Sequence, residues 1–90
     1  MEISYDAEKR AWTLEHRRVD FEDAVHVFAG TAITIEDDRK DYGEIRYQTF
    51  GLLGGRLVAL VWTLRGEARH IISMRKANDR ERRKYEAQLE

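Results

Sequence analysis

Seven Arg and Lys stand against two acids in the run RHIISMRKANDRERRKY (69–85), within a chain of net charge −1. Cations gathered this densely bind phosphate, and fixed cations also stabilise the charge that builds on a phosphoryl group as it reacts. If the run is strand as far as Arg75, alternation sends Arg69, Ile71, Ser73 and Arg75 to one face and His70, Ile72 and Met74 to the other. Arg46 and Gln48 lie on a second predicted strand, and Asn78 opens a helix whose first amides are free to meet an anion. Arginines, a hydroxyl and a helix start can therefore converge on a phosphodiester. RNA demands the least beyond this, because its own 2′-hydroxyl attacks. A base, cations for the phosphate and an acid for the leaving oxygen then suffice. Glu81, Tyr85, Lys76 and the histidines are the nearby candidates for moving a proton.

Other chemistries find little support. The histidines, His16, His26 and His70, show no HxxxH or HExxH spacing, and the chain has no cysteine, so no metal site is expected. His26 and His70 read as half-buried packing residues. The two serines, Ser4 and Ser73, lack the Gly-x-Ser-x-Gly setting of an activated nucleophile. The glycines fall at turns and form no phosphate loop.

The elements that must hold these residues follow from periodicity. EISYD alternates and reads as a short strand, after which Asp6 caps a helix whose Ala11, Trp12 and Leu14 are expected to face a core. Asp20 caps a second helix, with Glu22 and Asp23 in its first turn. There Phe21, Ala24, Val25 and Phe28 form an apolar stripe that ends at Gly30. TAITIED is β-branched strand, and DDRKDYG is a polar loop. EIRYQTFGLL, RLVALVWTL and EARHIISMR then alternate with Gly54-Gly55 and Arg65-Gly66, which marks antiparallel hairpins. LVALVW (57–62) is apolar on both faces and belongs at the centre. Asn78 and Glu81 form a capping box for a last helix with only Tyr85, Ala87 and Leu89 to anchor it. The expected fold is α+β in the order β-α-α-β-β-β-β-α. Its sheet is mostly antiparallel with four or five strands, the helices lie on one face, and the other face is partly open for a ligand.

Ninety residues make one domain, spanning 1–90, and no apolar run is long enough to cross a bilayer. With no basic leader at MEISYDAEK and no cysteine, a cytoplasmic protein is expected. The near-zero net charge hides a division. Residues 20–44 carry eight Asp and Glu against two cations, while 69–84 is strongly basic. Such asymmetry points to a polyanion or an acidic protein partner, and a solvated charged surface is the plain alternative.

Taken together, the motifs resemble the BrnT family of bacterial type II toxins. The family order D-x-x-K, V-x-F-E-x-A, G-E-x-R-[FY], I-I-S-x-R and E-R-x-x-Y is met in sequence by Asp6 and Lys9, by Val19, Phe21, Glu22 and Ala24, by Gly43, Glu44, Arg46 and Tyr47, by Ile71 to Ser73 with Arg75, and by Glu81, Arg82 and Tyr85. One segment departs. Where the family has N-L-x-K-H-G-V this chain reads TLEHRRV, with Thr13, His16, Arg17 and Arg18 in place of Asn, Lys, His and Gly. The resemblance implies a RelE-like fold and a ribonuclease toxin that acts on RNA without metal or cofactor. It also implies a BrnA-like antitoxin with a ribbon-helix-helix domain, through which alone the toxin meets DNA. On that reading Arg46 and Arg75 carry transition-state charge and Glu81 or Tyr85 moves a proton. Arg69, Ser73, Lys76 and Arg80 then hold the RNA. The alternative is a non-catalytic basic module that docks an acidic protein or a nucleic acid.

Overall fold

The computed structural model describes residues 1–89, Glu90 lying outside them. The elements come in the expected order. They are β1 (Ile3–Tyr5), α1 (Ala7–Arg17), α2 (Ala24–Ala29), β2 (Ala32–Glu36), β3 (Tyr47–Leu53), β4 (Arg56–Arg65), β5 (Ala68–Lys76) and α3 (Asp79–Tyr85), with 3₁₀ turns at Phe21–Asp23 and Glu86–Leu89. The expected caps form. Asp6 accepts from the amides of Glu8 and Lys9, Asp20 accepts from that of Glu22, and Asn78 and Glu81 make the reciprocal capping box. The β3–β4 turn sets both Gly54 and Gly55 at positive φ, as a tight antiparallel hairpin requires. The next turn is Gly66-Glu67, one residue later than expected, because Arg65 still pairs with Ala68.

The sheet runs β1-β5-β4-β3-β2, so the apolar strand β4 is central. Three of its pairs are antiparallel, and β1 lies parallel to β5 at the edge, so the sheet is mixed.

Helices occupy both faces, against the expectation of one. On the first face, Phe21, Ala24 and Val27 pack with Val58, Leu60, Trp62, Ile71 and Met74. Here Val27 rather than Val25 is buried. Packing is close enough that a Cβ at Gly51 would stand 2.7 Å from Val27 Cγ1. On the second face, Tyr85 and Leu89 pack on Phe50, Leu57 and Ala59, with Ile33, Leu52 and Ala77 around them. The Tyr85 ring stacks on Phe50 at 4.4 Å. Two apolar side chains are thus enough to seat α3 on the sheet, because both land on aromatic and aliphatic surface left open by the strands.

Helix α1 does not lie on the sheet in the expected way. Trp12 is 50% exposed and Leu14 43%, Ala11 is exposed too, and Thr13 alone is buried. The reason is topological: α1 touches β5 and the Phe21–Asp23 turn, without the stripe of core contacts that α2 makes. It is tied down instead by an ion pair, with Arg10 forked onto Asp20 at 2.8 and 3.0 Å.

Candidate functional site

Strand register sets which side chains share the second face. One row holds Gln48, Val61 and Ser73 next to Ile35 of β2, and the next holds Phe50, Ala59 and Arg75 next to Ile33. Toward the other end, His70 pairs with Thr63 on one side and Ser4 on the other. Arg46 directly precedes β3, whose Tyr47 belongs to the opposite face, and the Thr63 hydroxyl donates to the Ile45 carbonyl beside it. α3 covers the Phe50 and Leu57 rows only. Gln48, Val61, Ser73 and His70 are half-buried and lie beyond α3, Thr63 beside His70 is buried under the Ile45 carbonyl, and Ile35 at the edge is 41% exposed.

One expected member is on the wrong side. Opposite Val61 and Trp62, β5 supplies Ser73 and Ile71, so Ile72 is an extra residue that forms a bulge. The alternation slips there by one position. Arg69 and Ile71 therefore share the first face with Met74, and His70 shares the second with Ser73 and Arg75, reversing the expectation for Arg69, Ile71 and His70. The Arg69 guanidinium lies 4.5 Å from the Phe28 ring centre and 4.9 Å from that of Trp62, remote from Ser73 and Arg75.

Arg75 is preset. Its two terminal nitrogens donate to the two carboxylate oxygens of Glu81 at 2.7 and 2.8 Å, and the same carboxylate accepts the Asn78 amide at 2.9 Å. Arg75 holds the Glu81 carboxyl below its usual range, ahead of the opposing effect of burial. Glu81 is thus a fixed anion with its oxygens in use, which suits an anchor and not a proton carrier. Tyr85 is 8% exposed beneath α3, where it serves packing. Lys76 pairs with Val58 on the first face and is exposed, as is Arg80 on the first turn of α3.

Arg46 donates to Glu44 at 2.9 Å and lies 4.2 Å from the Tyr42 ring centre. The loop it closes is organised around Asp37, whose side chain has no exposed surface. Asp37 accepts Arg39 Nε and Nη2 at 2.7 and 2.8 Å and the Tyr42 hydroxyl at 3.3 Å, while its amide donates to the Arg46 carbonyl. Arg39 keeps 61% of its side chain exposed, and its charge reaches both Arg75 and Glu81. Sequence reading missed Arg39, because DDRKDYG looked like plain loop. The Asp37-x-Arg39 spacing was the available signal.

His70, which the sequence offers both as a proton-transfer candidate and as a packing residue, is half-buried on the second face. Its Nδ1 lies 2.9 Å from the Ser4 hydroxyl, which fixes the ring. Burial pushes its pKa below the ordinary value, Arg65 and Lys9 act in the same sense, and Glu44 and Asp6 oppose. An imidazole held neutral beside several cations is able to accept a proton at physiological pH. Among the described residues, no three His, Asp or Glu side chains gather as metal ligands do.

The uncovered rows thus carry a hydroxyl at Ser73 and an imidazole at His70, with Arg75 toward one end and the loop residues Arg39 and Arg46 at the other. A family model described as the ribonuclease toxin BrnT of type II toxin–antitoxin systems matches residues 5–81. No sequence among the curated proteins matches the chain.

Proposed function

We propose, since this chain belongs to the BrnT family of ribonuclease toxins of type II toxin–antitoxin systems, that the uncovered half of its second sheet face is where RNA is cut. The observation that carries this reading is Arg75, clamped by Glu81, two residues from Ser73 and within reach of the Arg39 charge. A guanidinium fixed before substrate arrives stabilises developing charge without reorganising.

Arg75 and Arg46 hold the scissile phosphate, with Arg39 beside them and Ser73 donating a hydrogen bond. His70 takes the 2′-hydroxyl proton. The 2′-oxygen then bonds to phosphorus, the bond from phosphorus to the 5′-oxygen breaks, and that oxygen takes a proton from water. The products are a 2′,3′-cyclic phosphate and a 5′-hydroxyl end, and no metal or cofactor takes part. Glu81 positions Arg75, and Tyr85 seats the helix that carries Glu81. Lys76 and Arg80 guide the flanking RNA past the start of α3, while Arg69 is given to packing on the first face. The toxin acts in the cytoplasm as one RelE-like domain of residues 1–90 and arrests translation and growth. Its partner is a BrnA-like ribbon-helix-helix antitoxin that shields the same rows and supplies the contact with DNA.

An RNA-cleavage assay in EDTA tests this reading. Arg75→Ala and Arg46→Ala should each cut roughly 10²- to 10³-fold more slowly. The wild-type rate should rise with pH to a plateau, its midpoint below the ordinary histidine value of about 6.5, with the limb lost in His70→Gln. Undiminished cleavage by the alanine variants, or harmless expression of the folded protein in cells without antitoxin, sinks the proposal.

A further inference from the structure

Beside Ser73, between α1 and β5, lies a cleft of about 350 Å³ lined by Lys9, Trp12, Thr13, Arg17, Ile72 and Ser73. Its size is at the small end of ligand pockets. The walls divide by chemistry. Trp12 and Ile72 offer flat apolar surface, Thr13 and Ser73 offer hydroxyls, and Lys9 and Arg17 are cations with no acid among the lining. The indole is held in place rather than loose. His16 stacks on it at 4.5 Å with 16° between the planes, and the His16 ring is itself fixed by a 2.9 Å contact from Nδ1 to the Trp12 carbonyl. The Arg17 guanidinium is 5.3 Å from the indole centre. Half of Trp12 nonetheless stays exposed, an unusual state for the largest side chain on a helix that buries only Thr13.

We infer that this cleft is a nucleotide subsite for the RNA strand, one unit away from the phosphate held by Arg75, an inference that rests on the proposed function. A base lies against Trp12 and Ile72, its ribose meets Thr13 and Ser73, and Lys9 and Arg17 take the adjoining phosphate. The occupant is nucleic acid because cations and an aromatic plane stand together without a carboxylate, a pairing that suits base and phosphate. Ser73 belongs to both the cleft and the uncovered rows, so a single strand can run from one to the other. Stacking tolerates every base, so the subsite sets affinity and path more than sequence choice.

The test uses fluorescent 2′-O-methyl RNA dodecamers of mixed sequence, which lack the attacking hydroxyl and remain uncut. Trp12→Ala should weaken their binding roughly 5- to 150-fold, the range that loss of one base–aromatic stack gives. Trp12→Phe should recover most of it, and thermal melting should stay near wild type since the site is on the surface. Binding by Trp12→Ala equal to wild type, while wild type still cleaves ordinary RNA, overturns the subsite and spares the proposed function. Wild type that neither binds the dodecamers nor cleaves RNA overturns both. Unchanged RNA binding by Trp12→Ala with lost neutralisation by the antitoxin would give the cleft to the protein partner instead, and would likewise overturn the subsite.

Discussion

Asp37 has no exposed side-chain surface, and a carboxylate survives there because its partners replace water. Arg39 grips both oxygens, the Arg39 amide reaches one of them, and Tyr42 adds a hydroxyl. The result is an arginine whose stem is fixed while its charge looks outward. Arg75 on Glu81 is built in the same way, toward the other end of the strands. In each case the acid orients a cation and is not free for proton chemistry. Arg39 holds the Asp37 carboxyl below its usual range, with burial opposing more weakly. Asp37 therefore stabilises the fold fully above its unfolded value of about 3.9, and that contribution disappears as pH falls through the lower folded value. Asp37→Asn should accordingly cost about 1–3 kcal/mol at pH 7, and the gap to wild type should close toward pH 3 and below. Urea midpoints measured across that range check both the size and the sign.

The bulge at Ile72 shows how one residue reassigns a surface. Simple alternation sends Arg69 with Ser73 and Arg75, whereas the extra residue carries Arg69 to the far face and brings His70 to the near one. Nothing in ARHIISMRK marks the insertion, since Ile71 and Ile72 are interchangeable to a hydropathy pattern. Elements, caps and hairpins were legible because they depend on local chemistry, as with Asp6, Asp20, Asn78 and Gly54-Gly55. The parallel edge, the second helical face and the position of α1 were not, because each depends on partners distant in the chain. Arg18 joins the two kinds of information. It sits at φ 59°, the left-handed conformation that ends α1, at the position where the BrnT motif has glycine. A side chain there costs on the order of 1 kcal/mol. Arg18→Gly should thus raise stability by up to about 1 kcal/mol, seen as a higher melting temperature, with RNA cleavage unchanged. A lower melting temperature would mean that the Arg18 side chain contributes more than its backbone costs.

Charge that is segregated along the chain is intermixed in space. The acidic stretch 20–44 contributes Arg39 to the field around Arg75, and its acids Asp37 and Glu44 hold the guanidinium groups in place. Three of the cations near these rows are each held by one acid, Arg39 by Asp37, Arg46 by Glu44 and Arg75 by Glu81. One sheet serves two separate ends. Its first face buries Phe21, Ala24 and Val27 for stability, and its second is covered by α3 over the Phe50 and Leu57 rows alone. The edge pair of β1 with β5 adds a consequence in time. Ser4 meets His70 across 66 positions of sequence, whereas β3, β4 and β5 join through short turns. Closing so long a loop is entropically late, so the hairpins form first and β1 docks last. Until then His70 has no Ser4 to fix its ring, and α1 has not brought Lys9 and Trp12 alongside β5. On refolding from urea, sheet circular dichroism should therefore return before RNA cleavage does. Simultaneous recovery would show instead that the ends of the chain meet as early as the hairpins. On the proposed reading, cleavage by a chain assembled in this order has to wait until its two ends have met.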